Sequence, residues 1–435
     1  MCASVPARTI PAGNWGHEVD AVPSLPHHAD VTAARQLGES TREVDILIIG
    51  GGVTGMLLLD RLHQQGYQVC LIERNALGHG QTIQAQGIIH GGLKYALGGR
   101  ANAASRAIRD MPNRWRAMFD GTGDTDLSAV AIRSDNCYLW STRSASSLLG
   151  LLGARLALRS RPKRVSAEDY PPALQGVTGP VLTMHEPVLD PQSMLQCLAD
   201  RHQDRLALDE VIALEQKDAG VTVTTQSGLT WRAARVVLAA GQGNGPLRSM
   251  AGLDATAQQI RPLRMVMVRG VSTPLHGHCV RGGKPWLTIT SAEATDGELV
   301  WQIGGDLAEQ GVKMTPQDTI ELAAKSLRTA LPSCPVDALQ WATYEAHRAE
   351  QSDEDGYRPD LPGLREDGCI LTAWPTKLAL APLLVDELLE KLSSPPVPRP
   401  SHTSSPVADQ ATPPVAQPPW EEIDSWSTAP SAGPA

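Results

Sequence analysis

Residues 45–55 read DILIIGGGVTG, an apolar run that closes on three successive glycines and then continues at helical spacing. The pattern Gly50-x-Gly52-x-x-Gly55 dictates a βαβ opening: a buried strand over Val44–Gly50, a helix over Gly52–Gln65 and a second strand over Tyr67–Glu73. The first glycine permits the tight turn, the second lets backbone approach a pyrophosphate, and the third lets the helix pack close to the strand. The helix amino terminus adds free N–H groups and a partial positive charge. Such a triplet alone is a weak signal, and a glycine-rich turn without a ligand is the plain alternative. Here it comes with the strand, the helix and an acid, Glu73, placed to accept hydrogen bonds from ribose hydroxyls. Arg74 would suit a 2′-phosphate, but Glu73 would repel one, so FAD or NAD fits better than NADP.

The chain has 435 residues, 42% of them hydrophobic, enough for a large core in more than one domain. Its formal charge is −9 and it carries no Lys/Arg run, which argues against nucleic acid as a partner. Seven dispersed cysteines with no C-x-x-C pair give no zinc or iron–sulfur pattern, so no metal is expected. Free thiols suit a reducing, cytoplasmic location. The first forty residues lack a secretory pattern, and no apolar run reaches the roughly 18 residues of a membrane span.

Residues 1–42 lack periodicity and read as a flexible lead-in, with a short helix around Thr32–Leu37. Residues 393–435 hold eleven of the 33 prolines and read as a disordered, partly polyproline II tail, in which Trp420 and Trp426 could dock, against a floppy tail as the plain alternative. Between them, strands are expected over Val221–Gln226, Arg235–Ala240, Met265–Arg269 and Glu298–Ile303. Helices are expected over Asp318–Ala330, with Asp318 as its cap, and Leu378–Leu392.

Residues 79–95, HGQTIQAQGIIHGGLKY, resemble the D-amino-acid oxidase-like superfamily of FAD-dependent oxidoreductases. The nearest likeness is to its glycerol-3-phosphate dehydrogenase-like and 2-hydroxyglutarate oxidase-like branches. Three further stretches agree in order: EPVLDPQ at 186–192 leading into a helix, VVLAAGQGN at 236–244, and TAWPTKL at 372–378 before the last helix. The resemblance spans about 43–392 and favours FAD over NAD. It implies an α/β fold: a discontinuous Rossmann-type FAD-binding domain over 43–110, 186–250 and 346–392, with a second α+β substrate domain over 111–185 and 251–345 on a mainly antiparallel sheet.

Carried onto this chain, the resemblance implies cofactor contacts from Gly50, Gly52, Val53, Thr54, Gly55, Glu73 and Arg74 at the nucleotide end. From the small-residue turn it implies Gln81, Thr82, Gly87, His90, Gly91 and Gly92, and from later segments Val211, Ala240, Gly241, Pro375, Thr376, Lys377 and Leu378. His90, Arg358 and Lys377 are the catalytic candidates. His90 is placed to move a substrate proton, to hydrogen-bond the flavin or, as in some relatives, to be attached to it; a histidine that only holds the loop is the plain alternative. Arg358, in GYRPDLP, resembles the family's anion-holding arginine, against an ordinary salt bridge; Arg348 and His347 match no motif. Lys377 would stabilise reduced flavin, or be a solvated lysine at a helix start. Lys94, Tyr95, His276, His278, Cys279, Thr288 and Thr290 are weaker pocket candidates. The activity implied is hydride transfer from a CH–OH donor, a 2-hydroxy acid or polyol phosphate, to flavin N5. The alternatives are an amine or amino-acid oxidase, or a flavin-binding module without turnover. Oxygen, a quinone or another carrier would accept the electrons.

Overall fold

The glycine turn forms where an extended segment, held in a parallel sheet, must reverse into a helix lying on that sheet. The computed structural model describes residues 41–92, 107–142, 162–217, 220–281, 284–352, 359–392 and 407–428. Strand β1 (Thr41–Ile49), helix α1 (Val53–Gln64) and strand β2 (Val69–Glu73) give the βαβ opening at the expected place. β1 pairs in parallel with β2 on one side and with Thr230–Leu238 on the other. Leu206–Leu208 extends the parallel array beside β2, and Ile370–Trp374 extends it beside Thr230–Leu238. An antiparallel hairpin, Val211–Lys217 with Gly220–Thr225, and the edge strand Gly363–Asp367 complete this eight-stranded sheet.

α1 is apolar on nearly every side because it is covered on nearly every side. Met56, Leu58, Leu59 and Leu62 are fully buried in a core shared with Leu195 and Leu198 of helix Pro191–Arg201 and Leu384 and Leu388 of helix Ala381–Lys391. The second sheet has nine strands and is antiparallel except where Gly277–Arg281 runs parallel to Cys137–Ser141. Its long strands Gln258–Arg269 and Gln340–Gln351 pair over twelve positions. Helix Pro316–Ala330 buries Ile320, Ala323, Ala324 and Leu327 against Val266, Val268, Ile289 and Trp341 of this sheet. That helix starts two residues earlier than expected. Thr315, not Asp318, is the cap: its hydroxyl accepts from the Asp318 N–H at 3.1 Å, and Pro316 suits the first helical position. The last helix is also corrected, because Leu378–Leu380 is a 3₁₀ turn ahead of it. Among the described residues, no helix is long and apolar enough to cross a membrane.

Both ends differ from expectation. Thr41 and Arg42, placed in the flexible lead-in, belong to β1, and the Arg42 guanidinium lies 5.3 Å from the Trp231 ring centroid and pairs with Asp409. The expected helix at Thr32–Leu37 lies outside the described residues. The expectation of a disordered tail fails over 407–428, which form a strap across the protein. Leu77 N–H donates to Pro414 O at 2.7 Å, Ala416 N–H to Leu77 O at 3.0 Å, and Leu208 N–H to Ala411 O at 2.8 Å. Further on, Trp420 is 3% exposed and the Arg133 guanidinium stacks on it, while Ser427–Thr428 adds a short strand to Gln340–Trp341. The physical reason is that the strap builds no core of its own. Its backbone completes hydrogen bonds that the body leaves open, and its side chains fill apolar sites already present.

Replacing Trp420 by Ala is expected to lower unfolding stability by about 3 kcal/mol, the usual loss for a buried large aromatic. Denaturant midpoints of wild type and Trp420→Ala measure this; equal midpoints would contradict a docked strap.

Candidate functional site

A cavity of about 830 Å³ runs from the glycine turn to the second sheet, large for a small-molecule site. Its nucleotide end is built by steric necessity. Gly50 has φ 110°, and a Cβ there would fall 2.5 Å from Ala240 Cα. A Cβ on Gly55 would fall 2.1 Å from Gly50 O, so any side chain would push α1 off β1. Gly52 caps α1 without a side-chain bond, and the Thr82 hydroxyl accepts from Val53 N–H at 3.0 Å. Thr54, 3% exposed, has a hydroxyl with no partner among the described residues. Glu73 accepts from Gly51 N–H at 2.7 Å and from Asn75 N–H at 3.0 Å, and thereby ties the end of β2 to the turn. Glycine backbone that leaves room for close approach, a helix start whose cap residue has no side chain, a buried hydroxyl and a carboxylate at the end of β2 suit a dinucleotide.

The opposite wall comes from two later segments locked together by Asn244. Its side chain accepts from Ala240 N–H at 2.8 Å and donates to Ala373 O at 3.0 Å, joining the turn after strand Thr230–Leu238 to strand Ile370–Trp374. Beyond Trp374 the chain makes a γ-turn: Lys377 N–H donates to Pro375 O at 2.5 Å, with Thr376 at φ 61°. That backbone is strained for a β-branched residue. Thr376 is held there by its hydroxyl, which donates to Leu361 O at 2.9 Å. The turn delivers Lys377 to the cavity.

Of the cofactor and catalytic candidates read from sequence, Gly55 and Gly91 stand behind the cavity wall, and Arg358 lies outside the described residues, as do Lys94 and Tyr95. The rest line the cavity. His278 and Thr288 also line it, whereas His276, Cys279 and Thr290 do not. His278 Nδ1 is 2.9 Å from the Thr288 hydroxyl, and burial pulls its pKa down to about 4, so the ring is neutral at pH 7. Arg348 and His347, ranked low from sequence, do line the cavity, as does Lys284, which sequence reasoning missed. No local motif marks them; pairing with Arg261 and Pro262 sets the position of Arg348 and His347.

Behind His90, Gly91 N–H donates to Glu186 Oε1 at 2.6 Å. Glu186 is 1% exposed, and burial pushes its carboxyl up to about 7.

The family model described as FAD dependent oxidoreductase matches residues 45–371. The chain is 41% identical over 382 residues to the Pseudomonas aeruginosa protein named "Probable FAD-dependent oxidoreductase PA4991", covering 87% of this chain and 97% of that one. The chain belongs to this family of FAD-dependent oxidoreductases. The crystal structure of PA4991 superposes with a TM-score of 0.73 at 36% identity, over 88% of this chain and 99% of that one. The same fold appears in the L-alpha-glycerophosphate oxidase of Mycoplasma pneumoniae with FAD bound, with a TM-score of 0.63 at 17% identity over 83% and 97% of the two chains. It appears again in glycine oxidase from Geobacillus kaustophilus, with a TM-score of 0.58 at 16% identity over 84% and 98%. The cofactor is therefore FAD, and the fold is the two-domain α/β arrangement expected.

Two outcomes follow from this geometry. Gly55→Ala is expected to purify with less than about a tenth of the wild-type flavin, a loss of more than about 1.4 kcal/mol in binding; the visible-to-ultraviolet absorbance ratio reads it, and full flavin content would refute the packing argument. The Glu186 carboxyl is raised, so the neutral acid is the form the fold favours. The stability it lends is full below the ordinary carboxylate range and is lost as pH rises through about 7. Relative to Glu186→Gln, wild-type unfolding free energy should fall by about 3 kcal/mol between about pH 4 and pH 8. A pH-independent difference would contradict this.

Proposed function

We propose that this oxidoreductase acts on a small anionic CH–OH donor, a 2-hydroxy acid or a polyol phosphate. Bound FAD supplies the hydride acceptor, and the protein supplies position and charge. The observation that carries the reading is the basic side chains among those lining the cavity: Lys284 and Arg348, together with Lys377, share its wall with His90 and His347. The Arg348 side chain is 13% exposed and bridged to Glu309 at 3.6 Å, and its guanidinium suits a carboxylate or phosphate. In this reading Arg348 holds the anionic group, with Arg358 a further candidate. His90 receives the hydroxyl proton at a ring nitrogen. Lys377 and the positive end of the turn at Leu378–Leu380 offset negative charge arriving on the cofactor. The pyrophosphate is assigned to Gly50, Gly52, Val53 and Thr54, and the ribose to Glu73.

A second reading, oxidation of an amine or amino acid, is favoured by Asp306 and Glu309, which also line the cavity and whose carboxylates suit a substrate ammonium. The fold does not choose, because proteins named for either donor class share it. Electrons would pass on to oxygen, a quinone or another carrier.

Anaerobic mixing with 2-hydroxy acids, polyol phosphates and amino acids, followed by flavin bleaching, decides between the readings. A hydroxyl donor is expected to bleach the wild type. Arg348→Ala should raise the half-saturating concentration about 10- to 100-fold, the worth of a charged hydrogen bond. Bleaching by amino acids alone would establish the second reading.

A further inference from the structure

Segment 87–91 is laid against 186–189 like a short antiparallel ladder. Leu189 N–H donates to Gly87 O at 3.0 Å, and Ile89 N–H donates to Pro187 O at 2.9 Å. At the next step, a side chain replaces the backbone carbonyl: Gly91 N–H goes to Glu186 Oε1 at 2.6 Å. The second oxygen, Oε2, is buried and has no hydrogen-bond partner among the described residues, and no cation there forms a salt bridge with this carboxyl. A neutral asparagine or glutamine could accept the same bond without the burden of a buried charge.

We infer that Glu186 is a positioning residue of the cofactor site, which holds the His90–Gly92 loop through Gly91 and binds a proton from solvent at Oε2 when the cofactor becomes reduced. The inference rests on the reading that this loop borders the redox-active ring. Two electrons leave the donor and reach the flavin. The negative charge that results makes an ionised carboxylate beneath the loop less favourable, so an O–H bond forms at Oε2 with a proton drawn from water. Burial already sets the carboxyl near 7, where a modest change in local charge shifts its protonation.

Other titratable groups lie on the elements around it. His90 is on the loop itself, His185 is adjacent in sequence, and Arg109 and Asp110 sit at the turn where Gly91 meets Arg109 O and Pro112. Cys137 lies on the strand beside Met184, with His276 and His278 on the segment next to it. Among these, burial drives the Cys137 thiol well above the ordinary range, with the Glu186 charge adding to the shift, so it offers no competing anion. Burial pulls His276 and His278 down to about 4, leaving them neutral at pH 7.

Potentiometric titration of the FAD-loaded protein at several pH values reads protons taken up per two electrons from the slope of midpoint potential against pH. Above about pH 7, wild type is expected to take up more protons than Glu186→Gln, approaching one additional proton. At low pH the two should agree, because Glu186 is then protonated before and after reduction. Equal proton counts at every pH would overturn the assignment. His90→Asn separates the two layers of the argument. If it shifts the potential while Glu186→Gln changes nothing, the loop reading stands and the Glu186 inference falls. If neither variant changes the potential, the loop reading itself falls. A measurement on wild type alone guards against a variant that fails to fold. The reduced-minus-oxidised infrared difference spectrum above pH 7 should gain the band of a buried protonated carboxyl, and its absence overturns the inference.

Discussion

The Gln86 carboxamide donates to Thr288 O at 3.0 Å and to Gln302 O at 2.9 Å, and this pair of bonds fastens the nucleotide-binding sheet's connecting segment to the other sheet. The return bonds come from the other side: Gln302 Nε2 donates to Gln84 O at 2.9 Å, and the Tyr344 hydroxyl donates to the same carbonyl at 3.2 Å. Ala349 N–H adds a bond to Gln81 Oε1 at 3.1 Å. Residues 78–92 contain no helix or long strand, yet each part is held by a different element. Gly78 N–H is bound to Gly51 O, Thr82 sits at the start of α1, and Gly91 rests on Glu186. The cavity lies where it does because this one segment must satisfy both sheets.

That arrangement explains what was legible in the sequence. The glycine turn could be read because its demands are local and steric: no side chain fits at Gly50 or Gly55 once helix and strand are in contact. The stretch around His90 could be read as a family signature for a related reason, since small residues must pass between two packed walls. Arg348 and His347 could not, because their place at the cavity depends on strand register in the second sheet, set by Arg261 and Pro262 far away in sequence; Lys284, opposite Arg281 in a hairpin, carries no motif that marks it.

Residues 407–428 of the carboxy-terminal segment depart from the expected disorder for a physical reason of a different kind. Pro-rich composition speaks correctly against an independent core. It does not speak against docking, where the partner supplies the apolar surface and the unpaired backbone groups. The strap meets Leu77, and Leu77 in turn lies beneath Gly51, where an added Cβ would fall 2.5 Å from Leu77 Cδ2. The strap therefore backs the outer side of the glycine turn while its Trp420 end rests on the second sheet. Composition describes what a segment can do alone, and this segment is never alone in the folded chain.

The treatment of buried charge separates scaffold from site. Where the scaffold buries an ionisable group, it supplies a partner: Arg248 meets Asp367 at 2.7 Å, Asp60 meets Arg201 at 2.9 Å and His202 at 2.9 Å, and Glu350 meets Arg261 at 3.3 Å. In each case an opposite charge or a hydrogen bond stands against the cost of desolvation. Glu186 breaks the pattern behind the His90–Gly92 loop: among the described residues it has one backbone donor and no cation paired with it. A carboxyl that burial pushes toward its neutral form, against a single backbone hydrogen bond that favours the ionised one, is poised to respond when the electrostatic surroundings of the loop change, whereas a salt-bridged carboxylate is held against such a change.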